Sequence, residues 1–168
     1  AIRRAVEGAE DDEAQGWRDL ETHNLTKHDT VVGIAASGRT PYVVGALKQA
    51  RKHGLLTGCV TCNPDSLIVR ACDHPVVAVT GPEFVTGSTR MKAGTATKLL
   101  LNRLTTAAMV RLGHVQGNRM VDMQLSNAKL VERGSRMVSD ATGLNMEEAE
   151  ALLLSHGSVR AAVAAHKD

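Results

Sequence analysis

Two short segments rich in hydroxyl side chains are the places where this 168-residue chain is best suited to ligand chemistry. The first, residues 36–40, reads Ala-Ser-Gly-Arg-Thr, and the second, residues 86–90, reads Thr-Gly-Ser-Thr-Arg. Each precedes a predicted helix. Because the first N–H groups of a helix have no partner within it, and because hydroxyl groups add further donors, such segments suit a phosphate. Helix capping is the simpler reading of either segment alone, but two of them in one sheet favour a phosphate site.

Features that these segments lack argue against a nucleotide as the phosphate ligand. Residues 33–40 have a superficial Walker A spelling, but Gly33 falls within a predicted strand and Arg39 stands where that loop needs a lysine. A dinucleotide site is disfavoured because no Gly-x-Gly-x-x-Gly is present and the next strand leads to Asn63 rather than to an acidic residue. One phosphate, many hydroxyl groups and an aromatic content of 2% fit a sugar phosphate better.

The segments follow short apolar runs that are typical of buried parallel strands, at residues 30–36, 57–61 and 76–79. A helix is predicted after Thr40 as N-cap and Pro41 as first residue, ending at Gly54, and a short helix is predicted after Pro64. Strands that alternate with helices predict an α/β fold, a parallel sheet with helices on both faces. Ligands bind at the carboxyl ends of the strands in such sheets, where both segments lie.

The remaining elements are predicted to be helical. Residues 1–20 read as a helix interrupted at Gly8, and residues 91–112 as a long helix, apolar around most of its circumference and therefore buried. Beyond Gly117 we expect only helices, at residues 127–141, 146–155 and 159–166, with Asn145 as an N-cap. This change of character suggests one domain over residues 1–116 and a small helical subdomain over residues 117–168.

Composition and cysteine usage exclude several classes of protein. A net charge of +2 argues against non-specific nucleic-acid binding, and no apolar run is long enough to span a membrane. Three cysteines, an odd number, favour a reducing cytoplasm. Cys59 and Cys62 lie three apart on a predicted strand and so point to opposite faces, which disfavours a shared metal or a disulfide. No two histidines have zinc-site spacing on a helix, so no metal site is predicted.

Residues 35–40, Ala-Ala-Ser-Gly-Arg-Thr, resemble the second phosphate loop of the sugar-isomerase (SIS) domain family. Residues 81–102 resemble the signature of the N-acetylmuramic acid 6-phosphate etherases, which the glucokinase regulatory protein carries in altered form. Residues 5–11 match the etherase pattern too, as do Val121, Asp122, Asn127 and Lys129. The resemblance covers essentially the whole chain. It implies that family members have a further segment before Ala1, with additional strands, a first phosphate loop and a second functional glutamate, so we expect a fragment.

The resemblance implies a cytoplasmic bacterial lyase of cell-wall sugar recycling. Such an enzyme cleaves the D-lactyl ether of N-acetylmuramic acid 6-phosphate to N-acetylglucosamine 6-phosphate and D-lactate. In the open-chain aldehyde the carbonyl acidifies the C2 hydrogen, so a carboxylate can remove it. The C3 ether then leaves with help from an acid, and water adds. Two carboxyl groups with separated pKa values suffice for this chemistry, without a metal or another cofactor. If these residues were the whole polypeptide, we would expect weak phosphate binding and no lyase activity.

The resemblance also implies the site residues. Glu10 matches the catalytic glutamate and is assigned as the base at C2, although a solvated helix carboxylate would be the ordinary reading of that position without the motif. Glu83 either orients a ligand hydroxyl or caps its loop. The substrate-binding residues implied are Glu7, Ser37, Gly38, Thr40, Glu83, Ser88, Thr89 and Arg90.

Other functions remain open. A non-catalytic regulator that binds sugar phosphates, like the glucokinase regulatory protein, is the main alternative, although we expect this chain to lack the second SIS domain and the lid extension of that protein. An aldose–ketose isomerase is another, but the Gly-Ser-Thr-Arg-Met-Lys run at residues 87–92 favours an etherase. The helical tail is similar to a ubiquitin-associated-like three-helix unit, and we expect a structural role for it. The family resemblance also implies a homodimer with sites near the subunit interface.

Overall fold

The structure is a computed structural model that describes residue 6 and residues 8–167. The chain divides into two compact units, residues 1–103 and residues 104–168. The first unit is α/β and contains both hydroxyl-rich segments, and the second is mainly helical. Each unit is described separately below.

The first unit is built on a three-stranded parallel sheet. Its strands are β1 (Thr30–Ile34), β2 (Leu56–Thr61) and β3 (His74–Val77), in the spatial order β1-β2-β3. Val32 pairs with Gly58 in the register of β1 and β2. Parallel neighbours require crossover helices, and the helices predicted after Thr40 and Pro64 supply them. The α/β prediction is therefore confirmed.

The helices of this unit begin close to where the sequence predicts. They are α1 (Gln15–Glu21), α2 (Pro41–Lys52), α3 (Leu67–Ala71) and α4 (Lys92–Arg111), which runs on into the second unit. Thr40 is the N-cap of α2, and Gly54, with φ of +77°, follows the C-cap of that helix. Both predictions for α2 are confirmed.

The helix predicted over residues 1–20 is interrupted at Gly8 as expected, with φ of +74°, but the prediction is wrong beyond that point in the described residues. A 3₁₀ turn over Ala9–Asp11 is separated from α1 because Asp12 has extended backbone angles. The Asp12 carboxylate accepts hydrogen bonds from the N–H groups of Ala14 at 2.9 Å and Gln15 at 3.0 Å, which begins a new helix. An aspartate that bonds to the backbone two or three residues ahead competes with helix continuation.

The core of the first unit lies where α2 and α3 pack against the sheet. Leu47 and Ile68 are fully buried there with Cys59. Gly33 lets α2 approach β1, because a Cβ at that position would lie 2.7 Å from a methyl group of Leu47. Val32, on the other face of β1, is 37% exposed. The core therefore lies between the sheet and the helices α2 and α3, and the face of β1 that carries Val32 is partly exposed.

The prediction that the long helix is buried is wrong for the described chain. Ala93 is the only buried residue of α4. Apolar side chains farther along it are about half exposed, including Leu99 at 50%, Leu104 at 45% and Met109 at 51%. Apolar residues on all sides of a helix indicate burial only where other elements surround it.

The second unit contains a hairpin that the sequence pattern does not predict. Strands β4 (Val115–Gln116) and β5 (Arg119–Met120) pair in antiparallel fashion around Gly117, which has φ of +59°. The helices-only prediction beyond Gly117 is therefore wrong at β5. A Gly-Asn turn signal is present, but two-residue strands are too short to show an alternating pattern.

Three helices complete the second unit: α5 (Ala128–Thr142), α6 (Met146–His156) and α7 (Val159–Lys167). Asn145 caps α6 as predicted, and Glu148 completes a capping box with it. Val138 and Leu153 are fully buried between these helices. Among the helices that the structure describes, none is both long and apolar enough to cross a membrane.

Candidate functional site

The first hydroxyl-rich segment leaves β1 in a tight turn around Gly38. This glycine has φ of +67°, and its N–H donates to the carbonyl oxygen of Ala35 at 3.0 Å. A Cβ at position 38 would overlap Ser66 and would lie 2.8 Å from Oγ1 of Thr61. The carbonyl oxygen of Gly38 in turn accepts a hydrogen bond from the N–H of Ile68 at 3.0 Å. The turn is therefore fixed against the residues that link β2 to α3.

The hydroxyl groups of this segment do not cap α2 through hydrogen bonds. Thr40 is the N-cap of α2, but its side chain makes no capping hydrogen bond. Ser37 is exposed, and its Oγ accepts from the N–H of Arg39 at 3.3 Å. Since capping does not engage the Thr40 hydroxyl, the amide-rich start of α2 is suited to an anionic ligand.

The second segment belongs to a loop over residues 81–91 that Glu83 fastens to α4. The two carboxylate oxygens of Glu83 accept hydrogen bonds from the N–H groups of Lys92 and Ala93, each at 3.0 Å. The bond from Ala93, followed by that from Lys92, lowers the pKa of Glu83 below its ordinary value. The sequence is compatible with two roles for Glu83, orienting a ligand hydroxyl or capping its loop, and these contacts correspond to capping.

Ser88 and Arg90 are joined within this loop. The Arg90 Nε donates to Oγ of Ser88 at 2.6 Å, and the Ser88 N–H donates to the carbonyl oxygen of Val85 at 3.1 Å. Ser88 is half-buried, whereas Thr89 and Arg90 are exposed. The remaining N–H donors of this guanidinium face solvent, where they are available to bind an anion.

A cavity of about 320 Å³ lies where the two segments meet. Ala36 from the first segment and Cys62 after β2 line one side, while Thr86 and Thr89 from the second loop line another. Of the predicted site residues, Glu83 and Thr89 line this cavity. The predicted residues that do not line it, although they belong to the same two segments, are Ser37, Gly38, Thr40, Ser88 and Arg90.

The predicted base, Glu10, is not among the residues that line this cavity. Glu10 is exposed in the 3₁₀ turn Ala9–Asp11, which packs against α2, and it does not line the cavity. Glu7 lies outside the residues that the structure describes. The structure thus brings the two hydroxyl-rich segments together but does not bring Glu10 to the cavity.

Cys62 is a site residue that the sequence pattern does not single out for binding. It lines the cavity, is half-buried, and its Sγ lies 4.0 Å from the carbonyl oxygen of Ala93. Its spacing draws attention to it only as a partner for Cys59. The signal that could have found it is its position directly after β2, at the same sheet edge as the residues that follow β1. Within residues 6 and 8–167, no group of three or more histidine, cysteine, aspartate or glutamate side chains could hold a metal ion.

Two family models match the chain. The SIS domain model matches residues 10–107, and the C-terminal lid domain of glucokinase regulatory protein matches residues 117–163. The second match corrects our expectation that the chain lacks a lid extension. Residues 117–163 alone match that lid domain, so the short length of the chain is not evidence that it lacks a lid.

Curated relatives match the chain along nearly all of its length. Proteins named N-acetylmuramic acid 6-phosphate etherase from Christiangramia forsetii and Bacteroides thetaiotaomicron are 56% and 55% identical to it, over 100% and 99% of the chain and 61% and 60% of their own lengths. N-acetylmuramic acid 6-phosphate etherase 1 of Bacillus licheniformis is 54% identical, over 97% of the chain and 54% of its own length. The chain therefore spans about three fifths of the length of the first two relatives.

Among solved structures, the Vibrio vulnificus NanR protein complexed with ManNAc-6P matches with a TM-score of 0.42 and 17% identity, over 64% of this chain and 45% of that one. A structural similarity this low gives no information about a ligand of this chain. The family assignment rests on the SIS domain model. Because the SIS model matches more than half of the chain, the chain belongs to the SIS domain family, and it is similar along nearly all of its length to proteins named N-acetylmuramic acid 6-phosphate etherase.

Proposed function

We propose that the protein to which this chain belongs is a lyase acting on N-acetylmuramic acid 6-phosphate. It cleaves the D-lactyl ether at C3 and yields N-acetylglucosamine 6-phosphate and D-lactate, a reaction of cell-wall sugar recycling. The observation that carries this proposal is the cavity at the carboxyl edge of the sheet, between two hydroxyl-rich segments. The names of relatives that match the whole chain at about 55% identity support the same substrate.

The binding residues of the proposal divide between the two segments. In the first, the hydroxyl groups of Ser37 and Thr40 and the turn at Gly38 hold the phosphate near the start of α2. In the second, Ser88, Thr89 and Arg90 contact the sugar phosphate. The support for this division is that the Thr40 side chain does not cap α2, so its hydroxyl is not engaged in capping.

Glu10 is the base of the proposed reaction. Its carboxylate removes the proton at C2 of the open-chain aldehyde, and the electron pair left at C2 forms a double bond to C3 as the lactyl oxygen departs. An acid protonates that oxygen, and water then adds across the double bond. The placement of Glu10 on a turn that packs against α2 is compatible with this role, since α2 begins at the first segment.

The release of D-lactate from N-acetylmuramic acid 6-phosphate by the whole protein tests this function. Glu10→Gln should abolish release while leaving the affinity for N-acetylglucosamine 6-phosphate unchanged, because the amide keeps the shape but not the basicity of the carboxylate. Glu13→Gln is the matched control, because Glu13 forms an exposed ion pair with Lys48 and should not affect turnover. An active Glu10→Gln protein would refute the role of Glu10.

A second candidate is a non-catalytic regulator that binds a sugar phosphate. The match of residues 117–163 to the lid domain of glucokinase regulatory protein specifically favours it. A regulator would bind sugar phosphates tightly and release no D-lactate under any condition. Calorimetric binding measured beside the lactate assay on the same preparation separates the two functions.

The proposal includes a cytoplasmic homodimer. The half-exposed apolar side chains of α4, including Leu99 and Leu104, are the type of surface that subunit contacts cover. Cys59, Cys62 and Cys72 are all free thiols, in keeping with a reducing compartment. Sedimentation velocity of the whole protein at micromolar concentration should give a dimer, and a monomer at every concentration would refute it.

A further inference from the structure

The 81–91 loop that walls the cavity is held in place by polar bonds rather than by packing. Its apolar residues point outward, with Phe84 at 90% exposure and Val85 at 57%. Exposed apolar side chains contribute little to the stability of a segment. The backbone of the loop is left-handed at Gly81 and Gly87, whose φ values of +68° and +83° favour glycine. The position of the loop therefore depends on its hydrogen bonds to α4.

Glu83 makes the main ties between this loop and the helix. Each oxygen of its carboxylate accepts a different backbone N–H in the first turn of α4, from Lys92 and from Ala93, at 3.0 Å. The side chain of Lys92 adds a bond from Nζ to the carbonyl oxygen of Pro82 at 2.9 Å. Hydrogen bonds to an ionised acceptor are the stronger kind, and a negative charge at a helix start also interacts favourably with the helix dipole.

The same hydrogen bonds make Glu83 poorly suited to donating a proton or binding an anion. With both oxygens engaged by the helix, the carboxylate is oriented toward α4, and its lowered pKa keeps it ionised, so that it is a poor proton donor. The negative charge also offsets the positive end of α4, which makes that helix start unattractive to a phosphate. Glu83 is thus suited to holding the loop and ill suited to holding an anionic ligand.

We propose that Glu83 is a positioning residue. It ties the 81–91 loop to the first turn of α4 and so keeps Thr86, Gly87 and Thr89 at the cavity. Although Glu83 also lines the cavity, its carboxylate takes no part in the reaction. This inference rests on the proposed function only in taking the cavity as the ligand site. When the tie is removed, the loop moves away from the cavity, and the ligand loses part of its binding surface.

Cys62 supplies a reporter for this motion that does not depend on activity. It lines the cavity, and its Sγ lies 4.0 Å from the carbonyl oxygen of Ala93, the residue whose N–H binds Glu83. Cys59 and Cys72 are buried. The rate at which iodoacetamide alkylates Cys62, followed by mass spectrometry of its peptide, therefore measures how often the loop opens.

The test compares the whole protein with Glu83→Ala, Glu83→Gln and Glu147→Ala. Glu147 is also an acidic residue in the first turn of a helix, α6, but it belongs to the second unit and serves as the control. Glu83→Ala should speed alkylation of Cys62 by about tenfold or more, because bonds to a charged acceptor are lost. Glu83→Gln, which keeps one acceptor oxygen, should speed it about threefold to tenfold. Glu147→Ala should leave it unchanged.

A wild-type alkylation rate in Glu83→Ala would overturn the proposal. Should that variant fail to fold, Glu83→Gln decides the test, and a wild-type rate there overturns the proposal equally. Circular dichroism of every variant establishes whether it folds.

Ligand affinity separates positioning from a direct role in the reaction. Glu83→Ala should raise the dissociation constant for N-acetylglucosamine 6-phosphate by about tenfold and lower kcat at saturating substrate by less than about threefold. A lost kcat with an unchanged dissociation constant would mean that Glu83 acts on the substrate, and would overturn the proposal. If the wild-type protein releases no D-lactate, the proposed function fails, and the alkylation and binding measurements still decide the role of Glu83.

Discussion

Gly38 and Ser66 are packed so closely that the residue at position 38 can have no side chain. A Cβ there would overlap the Ser66 hydroxyl, which itself donates to the carbonyl oxygen of Asn63 at 2.8 Å and is almost completely buried. The first hydroxyl-rich segment is thereby joined to the connection between β2 and α3. The shape of this part of the site is therefore set by the contact of the Gly38 backbone with the Ser66 side chain.

Gly38→Ala should lower the free energy of unfolding of the first unit by about 2 to 4 kcal/mol. The substitution combines an unfavourable positive φ with overlap in a packed interior. Chemical denaturation measures the effect, and binding of N-acetylglucosamine 6-phosphate should weaken in parallel. Gly54→Ala is the matched control. Gly54 has φ of +77° but no atom within 4 Å of where a Cβ would lie, so only the backbone cost of about 1 to 2 kcal/mol should be measured.

The second unit should lose stability in strong acid through Asp122. Bonds from Arg160 at 2.9 and 2.7 Å and from His114 at 2.9 Å lower the pKa of this carboxyl from 3.8 to about 2. Because the pKa is lower in the folded state, the stabilisation is fully present above about pH 4 and disappears as the pH falls through 2. The melting temperature of the protein, followed from pH 5 to pH 2, should fall accordingly.

Asp122→Asn tests this assignment. The variant should melt lower than the wild type at pH 5, and the difference should shrink toward pH 2, where the wild-type carboxyl is also becoming neutral. Asp140→Asn is the control, because Asp140 forms an exposed ion pair with Arg119 at 2.7 Å and such pairs contribute little. A difference for Asp122→Asn that does not change with pH would contradict the prediction.

Thr57→Val should destabilise the first unit by about 1 to 3 kcal/mol, since a buried hydroxyl is removed from its partners. Thr57 is fully buried, and its Oγ1 donates to Oδ2 of Asp73 at 2.6 Å and accepts from the N–H of Asp73 at 3.1 Å. Thr57→Ser keeps the hydroxyl and should cost less. Urea denaturation of the three proteins checks the order, and equal losses for both variants would show that packing, not the hydroxyl, matters.

Arg90→Ala should weaken binding of N-acetylglucosamine 6-phosphate by about tenfold or more, because a guanidinium makes charge-assisted bonds to phosphate. Arg90 is exposed and held by Ser88, so its loss should leave the melting temperature unchanged. Arg103→Ala, an exposed arginine of α4, is the control for loss of one positive charge. Isothermal titration calorimetry at fixed ionic strength measures both, and equal affinities for the two variants would refute the assignment.

The order of elements in the first unit is predictable because the relevant signals are local. Apolar runs of four to seven residues between turn residues predict β1, β2 and β3 to within a few residues, and Thr40, Pro41 and Gly54 predict the limits of α2. The hairpin at Gly117 and the break at Asp12 are not predicted. In both places the deciding contacts involve only a few residues, which leave no periodic pattern in the sequence.

The sequence by itself determined the α/β class, the parallel sheet and the two hydroxyl-rich segments at its carboxyl edge, because turn chemistry and hydrophobic spacing act between near neighbours. Tertiary structure alone decided that Glu83 bonds to the first turn of α4, that Cys62 lines the cavity, and that α4 is largely exposed. Those features join residues nine or more positions apart, or depend on which elements surround a helix. Spacing along the chain does not encode such contacts, because they follow from how the packed elements meet.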